Sequence, residues 1–170
     1  MSPVRPGVAS DLISMQDIER SASERFREVG MPEIADDEPA PLAELQQYVV
    51  AGRAWVLTDA DDRAVAYVLV DVIDGNAHIE QLSVDSEHQR QGLGRALVDH
   101  VATWARAGGM PAVTLTTFHD VPWNGPYYER LGFRTLADAE LTPGLVELHA
   151  TEAAHGLDPD ARVCMRLELG

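Results

Sequence analysis

The chain has 170 residues, 45% apolar and 24% charged, which fits one globular domain with its own core. Lys and Arg number 13 against 28 Asp and Glu, so the net charge of −15 argues against nucleic-acid binding and favours cationic ligands. One cysteine, Cys164, excludes an internal disulfide and a cysteine-based zinc site. The opening MSPVRPGVASDL lacks an apolar signal-peptide core, and the longest apolar run, Ala64–Val70, is too short to span a bilayer. A single cytoplasmic domain over residues 1–170, with no metal and no membrane or nucleic-acid partner, is therefore expected.

In chain order, a short extended piece precedes a helix that Ser10 or Asp11 is placed to cap, with Leu12, Met15, Ile18, Ala22 and Phe26 near one face. REVGMPEIADDEPAP, rich in proline and acids, reads as an exposed loop. LAELQQYVVAG is a short helix stopped by Gly52. RAWVLTD, AVAYVLVDVID and GNAHIEQLSVD read as an antiparallel meander, with a turn over Asp59–Asp62 and a second at Gly75-Asn76.

From Leu93 the apolar period becomes helical. Leu93, Leu97, Val101, Trp104 and Ala105 share a face, and Gly108-Gly109 ends the helix. PAVTLTTF is a strand. Asn124 and Pro126 open a short helix closed by Leu131-Gly132-Phe133. A further helix is expected within residues 142–158, and ARVCMRLEL is a last strand, with Cys164 as buried filler. The order defines a mixed α/β domain rather than a run of βαβ units.

The junction DSEHQRQGLGRAL raises the functional question. Gly92 and Gly94 leave room for backbone N–H groups to approach an anion, and the following helix adds its positive end. Arg90 and Arg95 add charge, Gln89 offers an amide, and Gln91 and Leu93 complete the loop. A glycine-rich surface turn with an arginine pair is the bland alternative. A dinucleotide fingerprint fits poorly: Leu97 occupies the place of its third glycine, and DSEHQRQ separates the strand from Gly92. His78-Ile79-Glu80 echoes the zinc-deaminase signature without the accompanying cysteines, and no Gly-x-Ser-x-Gly elbow is present.

LSVDSEHQRQGLGRAL resembles the central motif of the GCN5-related N-acetyltransferase (GNAT) family, Gln/Arg-x-x-Gly-x-Gly/Ala between a strand and a helix; Gln89, Gly92 and Gly94 match it. NGPYYERLGF resembles the family's C-terminal signature through Tyr128, Gly132 and Phe133. One helix and one strand lie between the two motifs, as in the family. The resemblance implies a mixed central sheet of about six or seven strands flanked by helices on both faces. It also implies acetyl-coenzyme A as cosubstrate, its pyrophosphate on the glycine loop and its pantetheine arm along Leu82, Ser83 and Val84. The chain departs from the family at Val121, where many members carry asparagine, and at Arg90, where many carry glycine.

The implied chemistry is acyl transfer from a thioester to a primary amine of a small molecule or peptide. Tyr128 is the candidate acid for the departing thiolate, since a phenol of pKa near ~10 stays protonated at neutral pH; helix packing is its alternative role. Glu80 is the candidate base, an acid beside apolar neighbours in a central strand; a water chain is the alternative. His78, one pleat away, is able to assist but reads more readily as a surface residue. Asn124 reaches the cofactor or caps its helix, and Tyr127 lines the site or joins the core. Phe26, Met31 and His119 are candidate acceptor-side residues, and Glu24, Glu33, Asp36 or Asp37 are candidates to hold a cation. The rival readings are an inactive acyl-coenzyme A sensor of the same fold and a nucleotide oxidoreductase. A homodimer stays open.

Overall fold

The apolar runs of the sequence become the strands of one seven-stranded sheet, in the order β1-β2-β3-β4-β5-β7-β6. The computed structural model describes residues 4–170. In chain order the elements are β1 (Val4–Pro6), α1 (Leu12–Ser23), α2 (Pro32–Ala35), α3 (Leu42–Val50), β2 (Ala54–Thr58), β3 (Ala64–Ile73) and β4 (Asn76–Val84). They continue with α4 (Leu93–Ala107), β5 (Ala112–Phe118), α5 (Gly125–Arg130), β6 (Arg134–Thr135), α6 (Pro143–Ala154) and β7 (Arg162–Glu168). The expected order is present, with α2 as an addition inside the segment read as loop. The chain forms two compact units: residues up to Val70 with Gln81–His100, and Asp71–Glu80 with Val101–Gly170.

In the first unit β1, β2 and β3 run antiparallel, with Val4 opposite Leu57 and Ala54 opposite Leu69. Every residue of β2 and the first seven of β3 are buried, as near-continuous Val, Leu and Ala runs require. Met15 and Ile18 of α1 and Leu45 of α3 pack with Val56, Tyr67 and Leu69 to form the core. The α1 face is as expected at Met15 and Ile18, while Leu12 and Ala22 are half-buried; α1 ends at Ser23, so Phe26, expected on this face, lies beyond it in a 3₁₀ segment, half-buried. Asp11 stands at the helix start but does not cap it. Its carboxylate turns back to accept the Val8 N–H at 2.8 Å and two Arg5 donors at 2.8 and 3.0 Å, because the guanidinium offers a charge-assisted pair that a helix amide does not match.

The β3–β4 turn differs by one residue from expectation. Asp74 and Gly75, at φ 52° and 80°, make it, and Asn76 already belongs to β4. A two-residue hairpin of this type needs positive φ at both central positions, which Asp-Gly meets.

In the second unit β4 pairs with β5 in parallel, from Ala77↔Val113 to Ile79↔Leu115. β5 and β7 are antiparallel along their full length, from Ala112↔Glu168 to Phe118↔Arg162, and β6 pairs with β7 through Arg134↔Arg166. Leu136, Leu145 and Cys164 form a core cluster. Burial pushes the Cys164 thiol up to about 11, so it is unreactive filler as expected. No helix among the described residues is long and apolar enough to cross a membrane.

Candidate active site

β4 delivers the chain into the glycine loop. After Val84 come Asp85, a 3₁₀ turn over Ser86–His88, and Gln89 in extended conformation. Arg90 and Gly92 then take φ 64° and 77°, and α4 begins at Leu93. The Ala96 N–H bonds to the Gly92 carbonyl at 3.1 Å. Helix geometry therefore leaves the N–H groups of Leu93, Gly94 and Arg95 without intrahelical acceptors, at the positive end of a 15-residue helix. A Cβ added to Gly92 meets nothing within 4 Å, so conformation rather than space selects glycine there. Arg90, Gln91 and Arg95 are exposed beside these amides. The arrangement is suited to an anion such as a pyrophosphate.

Arg90 explains the departure from glycine as well as its consequence. Left-handed backbone disfavours a side chain by roughly 1–2 kcal/mol, and glycine avoids that cost. Gln89 is engaged internally: Nε2 donates to the Val84 carbonyl at 3.3 Å, and Oε1 accepts from Arg25 Nη1 at 2.8 Å. Of the β4 residues expected along a pantetheine arm, Ser83 is buried and accepts from Gln81 Nε2 at 2.7 Å. Leu82 and Val84 are half-buried.

Glu80 and His78 exchange the environments expected for them. Glu80 is exposed, so the cost of burying its carboxylate does not arise. His78 is 1% exposed, with Nδ1 2.8 Å from Thr114 Oγ1. The reason is local: ladder pairing with β5 ends at Ile79↔Leu115, and His78 lies inside the ladder opposite Thr114 whereas Glu80 lies beyond it. Burial pushes the His78 imidazole down to about 4, against the weaker pull of Asp71 and Glu152. It is neutral across the physiological range.

Tyr128 lies on α5, buried, with its ring edge-on to Tyr127 and Phe133 at centroid distances of 5.3 and 5.7 Å. The Gly-Phe half of the motif has a physical reason. Gly132 at φ 102° closes the helix, and the Phe133 N–H returns to the Tyr128 carbonyl at 3.1 Å, holding the Phe133 ring against the tyrosine. Tyr127 is half-buried, with the Arg130 guanidinium 5.9 Å from its ring centroid. Asn124 occupies the position before α5 but makes no side-chain cap; Nδ2 donates to the Trp123 carbonyl at 3.0 Å. A Cβ on Gly125 would lie 2.8 Å from the His119 carbonyl oxygen, so this glycine allows the helix start to approach the chain after β5.

His119 is held by both ring nitrogens, Nε2 to the Asp160 carbonyl at 3.0 Å and Nδ1 to Asp120 at 2.6 Å. Phe26 and Met31 are half-buried, and the Met31 N–H bonds to the Phe26 carbonyl at 3.0 Å. Glu24 and Asp36, candidates for holding a cation, both pair with Arg27. Among the described residues no group of His, Cys, Asp or Glu is placed to hold a metal ion. Sequence reasoning missed Ser21 and Arg25, which contact the loop some 64 positions away, and the cluster of Thr116, Glu152 and Arg162. No local spacing signals either.

The glycine loop, the α4 amides and the Tyr-x-x-x-Gly-Phe helix are features of one class of chain, the acyl-coenzyme A-dependent N-acyltransferase fold. It belongs to the acetyltransferase (GNAT) family, whose model matches residues 15–133. A ribosomal protein bS18-alanine N-acetyltransferase of Salmonella typhimurium is 32% identical over 74 residues, 44% of this chain and 50% of that enzyme. The chain thus aligns with about half the length of this relative. The structure of N-acetylglutamate synthase from Neisseria gonorrhoeae, complexed with coenzyme A and N-acetyl-glutamate, superimposes with a TM-score of 0.76 at 15% identity. That match covers 100% of this chain and 35% of the synthase. The ribosomal-protein-S18-alanine N-acetyltransferase of Escherichia coli superimposes with a TM-score of 0.69 at 20% identity, covering 100% of this chain and 95% of the other.

Proposed function

We propose that the chain is a single N-acetyltransferase domain that moves an acetyl group from acetyl-coenzyme A to a primary amine of a small molecule or peptide. The observation that carries this reading is the α4 N-terminus, opened by left-handed Arg90 and Gly92 and flanked by exposed Arg90 and Arg95. In this reading the amides of Leu93, Gly94 and Arg95 hold the pyrophosphate, and the backbone of Leu82, Ser83 and Val84 pairs with the pantetheine arm. Gln89 and Gln91 shape the loop, and Asn124 and Tyr127 line the cofactor side.

The amine nitrogen attacks the thioester carbonyl, the C–S bond breaks and an amide forms. Glu80, exposed and accessible to solvent, accepts the amine proton directly or through water. Tyr128 supplies a proton to the departing thiolate, its ring held in place by Phe133. His78 is excluded as the base by its buried contact with Thr114. Phe26, Met31 and His119 face the acceptor side, and the net charge of −15 favours a cationic acceptor.

The test is release of free thiol from acetyl-coenzyme A over an amine library that includes polyamines and a peptide with an N-terminal alanine, the residue named for the bacterial relative. Thiol release with one amine class identifies the acceptor. Coenzyme A binding with no release above hydrolysis selects the second reading, an acyl-coenzyme A sensor, to which exposed Glu80 is equally open.

A further inference from the structure

Two side chains, one near the C-terminal end of α1 and one in the segment that follows it, reach the loop that precedes α4. Ser21 Oγ donates to Asp85 Oδ1 at 2.7 Å and accepts the Ser86 N–H at 2.9 Å; Ser86 Oγ lies 2.7 Å away. Asp85 Oδ2 also receives His88 Nδ1 at 3.0 Å. One turn further along, in the 3₁₀ segment Glu24–Val29, Arg25 Nη1 donates to Gln89 Oε1 at 2.8 Å. An open depression of about 490 Å³ lies beside these contacts, with Ser21, Arg25, Ser86 and Gln89 in its lining.

The consequence for the loop is geometric. A guanidinium only donates, so Arg25 requires the oxygen of the Gln89 amide to face it. The amide nitrogen is thereby turned toward the Val84 carbonyl, 3.3 Å away. Gln89 thus ties the end of β4 to the 3₁₀ segment after α1, immediately before left-handed Arg90 and Gly92. Without Arg25 the amide keeps only its longer 3.3 Å contact with the Val84 carbonyl, and the loop loses its anchor to the segment after α1. Ser21 fixes the other end of the same turn through Asp85 and Ser86. We infer that Arg25 and Ser21 are positioning residues for the anion cradle: they act on coenzyme A affinity through the Asp85–Gln89 loop, without contacting the ligand themselves. This rests on the acetyl-coenzyme A reading given above.

The experiment is calorimetric titration of the full chain with coenzyme A, for the wild type, Arg25→Ala, Arg25→Lys, Ser21→Ala, Gln89→Ala and the Arg25→Ala/Gln89→Ala pair, with Tm recorded for each. Arg25→Ala is expected to weaken binding about tenfold, equivalent to about 1.4 kcal/mol. Arg25→Lys keeps a donor for Gln89 Oε1 and regains part of the loss. Ser21→Ala shifts affinity in the same direction. The decisive result is the double variant: once Gln89 is gone, removing Arg25 has no further effect. Additive losses would mean that Arg25 meets the ligand itself and would overturn the inference, as would unchanged affinity in Arg25→Ala. If Arg25→Ala does not fold, Ser21→Ala and Gln89→Ala carry the test, and wild-type affinity in both overturns it. A wild type that binds no coenzyme A overturns the acetyl-coenzyme A reading itself, whereas tight wild-type binding with additive losses overturns only the positioning role.

Discussion

Lowering the pH should unfold this protein partly through His78. The imidazole is 1% exposed and its Nδ1 meets Thr114 Oγ1, and burial holds its pKa at about 4 against an ordinary value of 6.5. Between these values the unfolded chain binds a proton at this residue and the native chain does not. Stability from this group is therefore complete above pH 6.5, falls as the pH drops, and is fully lost below about pH 4. At about 1.4 kcal/mol per pH unit the whole window amounts to about 3 kcal/mol, a large share of the stability of a domain this size. Urea unfolding of the wild type and His78→Gln at pH 7 and pH 4.5 measures it. The wild type should lose roughly 2–3 kcal/mol more than the variant over that interval. Equal losses, or an NMR titration of His78 centred near 6.5, would refute the reasoning.

Gly125→Ala places a Cβ 2.8 Å from the His119 carbonyl oxygen; overpacking against backbone should lower stability by roughly 1–3 kcal/mol, read by urea unfolding, and would disturb the start of the Tyr128 helix. Tyr128→Phe removes the proposed acid while keeping the ring that packs on Phe133; thiol release should slow at least about tenfold with Tm little changed, and an unchanged rate removes Tyr128 from the mechanism. Gly92→Asp tests charge with modest strain, because aspartate tolerates left-handed backbone and nothing lies within 4 Å of the new Cβ; the chain should fold and coenzyme A binding should disappear by calorimetry. Arg90→Gly relieves the left-handed residue and removes a cation, so Tm should not fall, while coenzyme A affinity weakens at low salt and converges on wild type as salt rises.

The parts of this fold that were legible in the sequence are those fixed by local rules. The period change at Leu93 is the passage from β4 to α4, and Gly52 and Gly109 end helices with φ of 72° and 73°. The glycine loop was legible because its left-handed turn needs backbone conformations that few residues adopt, and such demands mark the sequence itself. α2 was hidden because Pro32–Ala35 is shorter than one amphipathic repeat and sits among prolines and acids. His78 was misjudged for a different reason. Alternation assigns His78 and Glu80 to one side of β4, but it carries no information on where the ladder to β5 stops. Burial followed the ladder, and the histidine and the glutamate parted company within one pleat.

Arg90 shows how the local and global levels meet. The backbone at this position favours glycine, and the chain keeps an arginine there at φ 64°. In a protein of net charge −15 the field over most of the surface opposes a pyrophosphate. The α4 amides supply only about half a positive charge. Exposed cations within the loop are the short-range remedy, and Arg90 and Arg95 bracket the amides from either side of Gly92 and Gly94. On the proposed reading, the strain at Arg90 is the local cost of holding a pyrophosphate in an acidic protein. The same logic assigns Arg25 a different part. Its guanidinium is turned to Gln89 Oε1, so under the proposal it acts on the shape of the loop, while Arg90 and Arg95 act on its potential.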